Sequence, residues 1–88
     1  MSDPTRISTA IRQFIRESFH ADDGSGDIGD DFPLLGAGVI DSVSMLMLIN
    51  YIEDTFDVSF EIDEIVRERF NTIRSITDLV MEKRGRKA

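Results

Sequence analysis

The sequence of 88 residues is long enough for one small domain and too short for two independently packed cores. Its formal net charge of −7 disfavours nucleic-acid binding, which needs a basic surface, and the absence of cysteine excludes disulfides, thiolate metal sites and a cysteine nucleophile. No apolar run approaches the roughly 18 residues of a membrane span, and the opening MSDPTRIS lacks the layout of a secretion signal. We therefore expect a cytoplasmic protein that binds no membrane.

The first predicted element is a helix over residues 4–19. Asp3 followed by Pro4 is typical of an N-cap with proline at the first helical position. Apolar side chains then recur at helical spacing, at Ile7, Ile11, Phe14, Ile15 and Phe19. One face of this helix is expected to lie on a core.

A long loop is predicted over residues 20–41. Its first half, ADDGSGDIGDD at 21–31, is rich in Gly and Asp, a composition that favours turns. Its second half, FPLLGAGVI at 32–40, is apolar. We expect four side chains to hold this half against the helices: Phe32, Leu34, Leu35 and Ile40.

The second predicted helix, residues 42–56, has two apolar faces. At about 100° per residue, the face expected in the core collects Met45, Leu48, Ile49, Ile52 and Phe56. The opposite face collects Val43, Leu46, Met47 and Asn50. Because a helix in a bundle this small seldom buries both faces, the second face indicates a docking surface. The alternative that Leu46 or Met47 packs under the loop as ordinary core stays open.

Two further helices complete the predicted fold. A short one over residues 62–69 is expected to turn inward Ile62, Ile65, Val66 and Phe70. Thr72 offers an N-cap for the last helix, residues 73–84, whose core side chains are Ile73, Ile76, Leu79 and Val80. A basic tail follows at 85–88. The predicted fold class is all-α, a small four-helix bundle of three main helices and a short third helix, in a single domain over residues 1–88.

The junction between the loop and the second helix carries a family resemblance. The sequence GVIDSV at 38–43 is preceded by DDFPLLGAG and followed by a helix that closes on YIEDTFDVSFE. With its four helices and long loop in the same order, nearly the whole chain resembles the acyl carrier protein family, which includes peptidyl and aminoacyl carrier proteins. The family motif is an Asp-Ser pair at the start of the second helix, here Asp41 and Ser42.

The resemblance implies a carrier and not an enzyme. It implies that a phosphopantetheinyl transferase attaches 4′-phosphopantetheine from coenzyme A to Ser42. The thiol of this arm would hold an acyl or aminoacyl group as a thioester, loaded by an acyl- or aminoacyl-activating ligase or synthetase and passed to a downstream transferase or synthase. The one histidine, His20, is distant in sequence from Ser42, so the sequence does not support a Ser-His-Asp arrangement.

A helix start suits a phosphodiester on physical grounds. Its unpaired backbone N–H groups and the positive end of the helix dipole favour an anion there. Asp41 is expected to orient Ser42 and the incoming transferase, and capping of the helix explains the same residue equally well. Without their surroundings, Asp41 and Ser42 would both be ordinary helix-start residues.

The charge around Ser42 is predicted to be negative. Residues 21–63 contain eleven acidic residues and no Lys or Arg, whereas residues 64–88 contain seven basic and four acidic residues. Such a field steers basic partner surfaces toward the site and makes the encounter weaken with salt. For residues 22–31 alone, a solvated acidic loop is the simpler explanation. The predicted docking residues are Val43, Leu46, Met47, Asn50, Glu53 and Asp54.

Two positions differ from what fatty-acid carriers of the family often have. Val43 follows the serine in place of Leu, Met47 occupies a mid-helix position in place of an acid, and Asn50 is the neighbouring docking position. These differences favour a specialised or aminoacyl-transfer pathway, with a housekeeping fatty-acid role as the alternative. Methionine suits a docking surface that repacks against several partners. A monomer is expected, because a face used for transient docking cannot also be locked in a permanent dimer.

Two functions of other classes stay open. A helical protein-interaction adaptor without modification would use Val43, Leu46 and Met47 as its groove. Calcium binding is suggested by DDGSGDIGDD, but a calcium loop starting at Asp23 would place Ile28 where glycine is required and Leu34 where the bidentate glutamate belongs. The sequence therefore predicts no metal site.

Overall fold

A computed structural model describes residues 3–19 and 28–85. The elements in chain order are α1 (Pro4–Phe19), α2 (Ser42–Phe56), a first 3₁₀ turn (Ile62–Glu64), a second 3₁₀ turn (Arg67–Phe70) and α3 (Ile73–Gly85). These described ranges contain no strand, and the predicted all-α fold is confirmed. No helix within residues 3–19 and 28–85 is long and apolar enough to cross a membrane.

The three helices bury one face each in a common core, to which α1 and α3 contribute the most extensive helix pair. Complete burial of an aliphatic side chain contributes about 2 kcal/mol to the free energy of unfolding. Phe14 of α1 stacks on Tyr51 of α2 with ring centroids 4.2 Å apart, which joins these two helices at the edge of the core. The fully or almost fully buried helical side chains are Ile7, Ile11, Ile15, Leu48, Ile49, Ile52, Ile73, Ile76, Leu79 and Val80.

Side chains cap the starts of α1 and α3 where the sequence predicts it. Asp3 Oδ1 accepts a hydrogen bond from the backbone N–H of Arg6 at 2.8 Å. Thr72 Oγ1 accepts one from the backbone N–H of Ser75 at 3.0 Å. Each bond satisfies an N–H that a helix start leaves without an intrahelical partner.

The predicted third helix over residues 62–69 is wrong in type. Two short 3₁₀ turns stand there, separated by Val66 in extended conformation (φ −121°, ψ 149°). Because the segment is not one continuous helix, it has no single face toward the core. Only some of the side chains predicted to point inward do so. Phe70 is buried and Ile65 partly buried, but Ile62 is 90% exposed and Val66 39% exposed.

The apolar half of the long loop lies against the helices, as predicted. Leu34, Leu35 and Ile40 are buried, and Phe32 packs partly buried against the same core. The loop is also anchored through its acidic residues. Arg12 of α1 forms an ion pair with Asp30. Arg74 of α3 forms a bidentate ion pair with Asp31, at 2.7 and 3.2 Å, and donates its backbone N–H to the carbonyl of Asp30 at 2.9 Å.

Candidate functional site

Ser42 is the first residue of α2, and its side chain is exposed. Asp41 precedes it in extended conformation and caps the helix, accepting the backbone N–H of Ser44 at Oδ1 over 2.8 Å. The carbonyl of Asp41 accepts the N–H of Met45, also at 2.8 Å, which closes the first helical turn. The capping role considered for Asp41 is therefore observed, and Ser42 is held at a defined helix start.

The carboxylate of Asp41 is stabilised in its charged form. Hydrogen bonds from the backbone N–H of Ser44 and then from the Ser44 hydroxyl lower the pKa of Asp41 below its ordinary value of 3.8. A negative charge close to the positive end of the helix dipole is favourable. The Asp41 carboxylate already takes up part of the positive potential at this helix start. The feature of Ser42 that favours modification is therefore mainly its exposure to solvent.

The segment that leads into Ser42 has a fixed backbone. The carbonyl of Leu34 accepts the N–H groups of Val39 at 2.9 Å and Ile40 at 3.2 Å, which folds residues 34–40 into a closed turn. Gly38 has φ +78° within this turn, a left-handed conformation that glycine adopts at little cost. The turn ends at buried Ile40, directly before Asp41.

Asn71, which the sequence analysis did not single out, holds this turn from the other side. Its side-chain Oδ1 accepts the N–H groups of Leu35 at 2.8 Å and Gly36 at 3.1 Å, and its backbone carbonyl accepts the N–H of Leu34 at 2.6 Å. No local sequence signal marks this role, because the two partners are 36 and 35 residues away along the chain.

The second face of α2 is open to solvent beside Ser42. Val43 is 67% exposed, Leu46 55% and Met47 50%, and Asn50 is also exposed. The alternative in which Leu46 or Met47 packs as core is therefore wrong. An exposed apolar surface of this kind is typical of a site where a partner docks.

The two predicted acidic docking residues differ in surroundings. Asp54 is exposed, whereas Glu53 is half-buried and accepts the backbone N–H of Phe60 at 3.0 Å through Oε2. Glu53 thus fastens the segment that follows α2. Its carboxylate has a structural contact besides any role at the docking surface.

The acidic field expected around Ser42 is partly neutralised. Asp30 and Asp31 lie within salt-bridge distance of Arg12 and Arg74, as described above. The Arg74 guanidinium lowers the pKa of Asp31, and Asp31 in turn raises the pKa of Arg74. These paired acidic residues hold the loop against the helices. They therefore contribute less to the electrostatic steering of partners than a count of acidic residues suggests.

The calcium alternative meets the same packing. Ile28 and Leu34, at the positions where a calcium loop needs glycine and glutamate, are both buried core residues. Among residues 3–19 and 28–85, no group of three or more His, Asp or Glu side chains is placed to hold a metal ion. Asp23, where such a loop would start, lies outside the described residues, as does His20.

The chain is similar to known proteins over most of its length. A family model described as "Phosphopantetheine attachment site" matches residues 9–80. The chain is 39% identical over 54 residues to a D-alanyl carrier protein of Lactococcus lactis subsp. lactis (strain IL1403), covering 61% of this chain and 68% of that protein. It is 33% identical over 79 residues to a D-alanyl carrier protein of Streptococcus sanguinis (strain SK36), covering 90% of this chain and 96% of that protein.

Proposed function

Because the chain belongs to the phosphopantetheine-dependent acyl and aminoacyl carrier protein family, we propose that Ser42 is the residue to which its 4′-phosphopantetheine is attached. The observation that carries the proposal is the position of Ser42: an exposed hydroxyl, on the first residue of a capped helix, in the Asp-Ser pair of the family motif. The protein is a carrier that holds acyl or aminoacyl groups as thioesters on the thiol of this arm.

In the proposed attachment step Ser42 is a nucleophile and not a catalyst. Its hydroxyl oxygen forms a new bond to the phosphorus atom that bears pantetheine in coenzyme A. The pyrophosphate bond to the nucleotide breaks, and 3′,5′-ADP leaves. The hydroxyl proton goes to a base of the phosphopantetheinyl transferase. Asp41 orients Ser42 by fixing the helix start, so capping and orientation are one role.

The proposed cargo is an aminoacyl group, with D-alanine the first candidate. It is supported by the names of the two relatives, both D-alanyl carrier proteins. It is also supported by the exposed apolar residues on α2, since Val43 and Met47 replace the Leu and acid that fatty-acid carriers often have. A housekeeping fatty-acid role is the alternative.

The proposed partners are a phosphopantetheinyl transferase, an aminoacyl-loading ligase and a downstream transferase. They would dock on the exposed face of α2, with Val43, Leu46 and Met47 at its centre and Asn50 and Asp54 at its edge. The large exposed apolar fraction supports docking through burial, with charge at the rim adding speed and selectivity. We further propose that residues 1–88 act as one monomeric cytoplasmic carrier domain that catalyses no reaction of its own.

Intact mass tests the attachment. The apo protein is incubated with coenzyme A and a broad-specificity phosphopantetheinyl transferase, alongside Ser42→Ala and Ser44→Ala. Ser44 is the matched control, because it is a serine in the same helical turn whose hydroxyl contacts Asp41. We expect the wild type and Ser44→Ala to gain the mass of one phosphopantetheine and Ser42→Ala to gain none. An unmodified wild type would instead favour the adaptor function.

Loading of the modified protein tests the cargo. It is incubated with ATP and a D-alanine-activating ligase, and separately with a fatty-acyl-loading enzyme. We expect one alanyl group, removed by hydroxylamine as a thioester is, and little fatty acylation. The reverse result would support the housekeeping alternative.

A further inference from the structure

The turn before Ser42 depends on one side chain from a distant part of the chain. Asn71 receives three consecutive backbone N–H groups, those of Leu34, Leu35 and Gly36, two of them on its carboxamide oxygen. We propose that Asn71 is a positioning residue for the modification of Ser42. The inference rests on the proposed attachment at Ser42.

Hydrogen bonds connect Asn71, through Leu34, to Ile40, which lies two residues before Ser42. Leu34, whose N–H Asn71 accepts, uses its own carbonyl to accept the N–H groups of Val39 and Ile40. Ile40 is 2% exposed, and the next residue is the capping Asp41. The series of contacts from Asn71 to Ser42 therefore consists of backbone hydrogen bonds, one buried side chain and one helix cap.

Asn71 is itself well placed to act as an anchor. It follows the second 3₁₀ turn with helical backbone angles (φ −83°, ψ −22°) and is half-buried. Its neighbour Thr72 caps α3, which packs along α1. The carboxamide is thus attached to the most extensively packed pair of helices, and its oxygen accepts the N–H groups of both Leu35 and Gly36.

Loss of the carboxamide oxygen would leave the N–H groups of Leu35 and Gly36 without their acceptor. Water would hydrogen-bond to these groups instead, and the turn would no longer be held in its present geometry. Ser42 would then sample several positions relative to a docked transferase. A displacement of about 1 Å at a reacting group costs as much as 100-fold in rate. None of these hydrogen bonds involves the docking face on α2. We therefore expect the transferase still to bind, while the chemical step slows.

Global destabilisation predicts a different kinetic pattern. An unfolded fraction in rapid equilibrium lowers the concentration of competent carrier, which raises the apparent KM and leaves kcat unchanged once the carrier is saturating. A positioning role lowers kcat at nearly constant KM. The two explanations are therefore separable by steady-state kinetics of modification.

The experiment compares three variants of the full chain as carriers for one phosphopantetheinyl transferase with coenzyme A. Asn71→Ala removes the acceptor, and Asn71→Asp keeps an oxygen at the same reach. Thr72→Ala is the matched control, since it removes the neighbouring cap of α3 and destabilises the fold without touching the turn. Hydrogen exchange of the Leu35 and Gly36 amides is measured on the same samples.

For Asn71→Ala we expect kcat to fall roughly tenfold with KM within about twofold of wild type. Protection of the two amides should be lost in this variant alone, and Asn71→Asp should restore both properties. If Asn71→Ala does not fold, Asn71→Ser, whose oxygen is too short to reach, is judged by the same criteria. A kcat equal to that of Thr72→Ala would overturn the inference while wild-type modification upholds the proposed function. An unmodified wild type would overturn both.

Discussion

Lys83 in the last turn of α3 donates from Nζ to Glu64 Oε1 at 2.8 Å, and both side chains are less than one-fifth exposed. Glu64 Oε1 also accepts the backbone N–H of Glu61 at 2.7 Å. The pair therefore ties the C-terminal end of α3 to the first 3₁₀ turn, on which Ile62 faces solvent. Partial burial makes this ion pair less sensitive to salt than one on the open surface.

A double-mutant cycle measures this connection. Lys83→Met and Glu64→Gln, alone and together, are unfolded in urea at low and at moderate salt. We expect a coupling free energy of about 1 kcal/mol, with little loss at the higher salt. A coupling near zero would mean that the ion pair with Lys83 does not stabilise the 3₁₀ turn.

The cap of α2 predicts an acid-dependent contribution to stability. Asp41 has a pKa below 3.8 in the folded protein because it accepts hydrogen bonds from Ser44. A depressed folded pKa adds stability that is complete above the unfolded pKa and disappears as the pH falls through the folded one. At neutral pH, Asp41→Asn should keep the cap and the unfolding midpoint, whereas Asp41→Ala should lower the midpoint.

Urea midpoints of the wild type and of these two variants, measured between about pH 6 and pH 2, check the sign of this pH dependence. The difference between wild type and Asp41→Asn should change mainly below pH 3.8, in the direction of lost wild-type stability. A difference that changed only near neutral pH would contradict the assignment. Asp31, whose pKa Arg74 lowers, titrates in the same direction in both proteins and cancels in the comparison.

Met47 tests the docking surface. We expect Met47→Glu to lower kcat/KM for aminoacyl loading roughly tenfold, because a carboxylate would be buried against an apolar partner surface. Thr55→Glu is the matched control, since it adds the same charge to an exposed position of α2 that lies about two turns along the helix from Met47 and about 80° around it. Equal effects of the two substitutions would assign the loss to net charge and not to the face.

Gly38 tests the turn before Ser42. With φ +78°, alanine at this position would be strained, and we expect Gly38→Ala to cost about 1 kcal/mol in the free energy of unfolding. Gly85→Ala provides a comparison, because the space around Gly85 is open and its φ lies outside the left-handed region. A turn that tolerated alanine at 38 without loss would be more adaptable than its hydrogen bonds suggest.

Periodicity predicted most of the fold because it reports on one helix at a time. The observed bounds of α1 and α2 coincide with the predicted ranges, and the side chains expected in the core of α3 are buried. The segment around Ile62 was assigned wrongly, because apolar spacing over eight residues does not distinguish an α-helix from two 3₁₀ turns. Local pattern also identified Asp41 as a candidate cap and placed Ser42 at the helix start.

The supports of the candidate site were beyond sequence reasoning. Asn71 and Arg74 each bind the loop across more than thirty residues, and their side chains belong to no motif. Contacts of that separation follow from how the helices pack, which one sequence does not disclose. The partial neutralisation of the acidic loop was missed for the same reason.

The long-range anchoring has a consequence for how the protein is made. The bonds from Asn71 and Arg74 to the loop span 36 and 43 residues, so a chain still emerging from the ribosome contains Ser42 before it contains its supports. Loop closure over such distances becomes favourable only when α3 is available to pack. A transferase that requires the ordered turn before Ser42 would therefore act on chains that already contain α3 and not on shorter nascent ones.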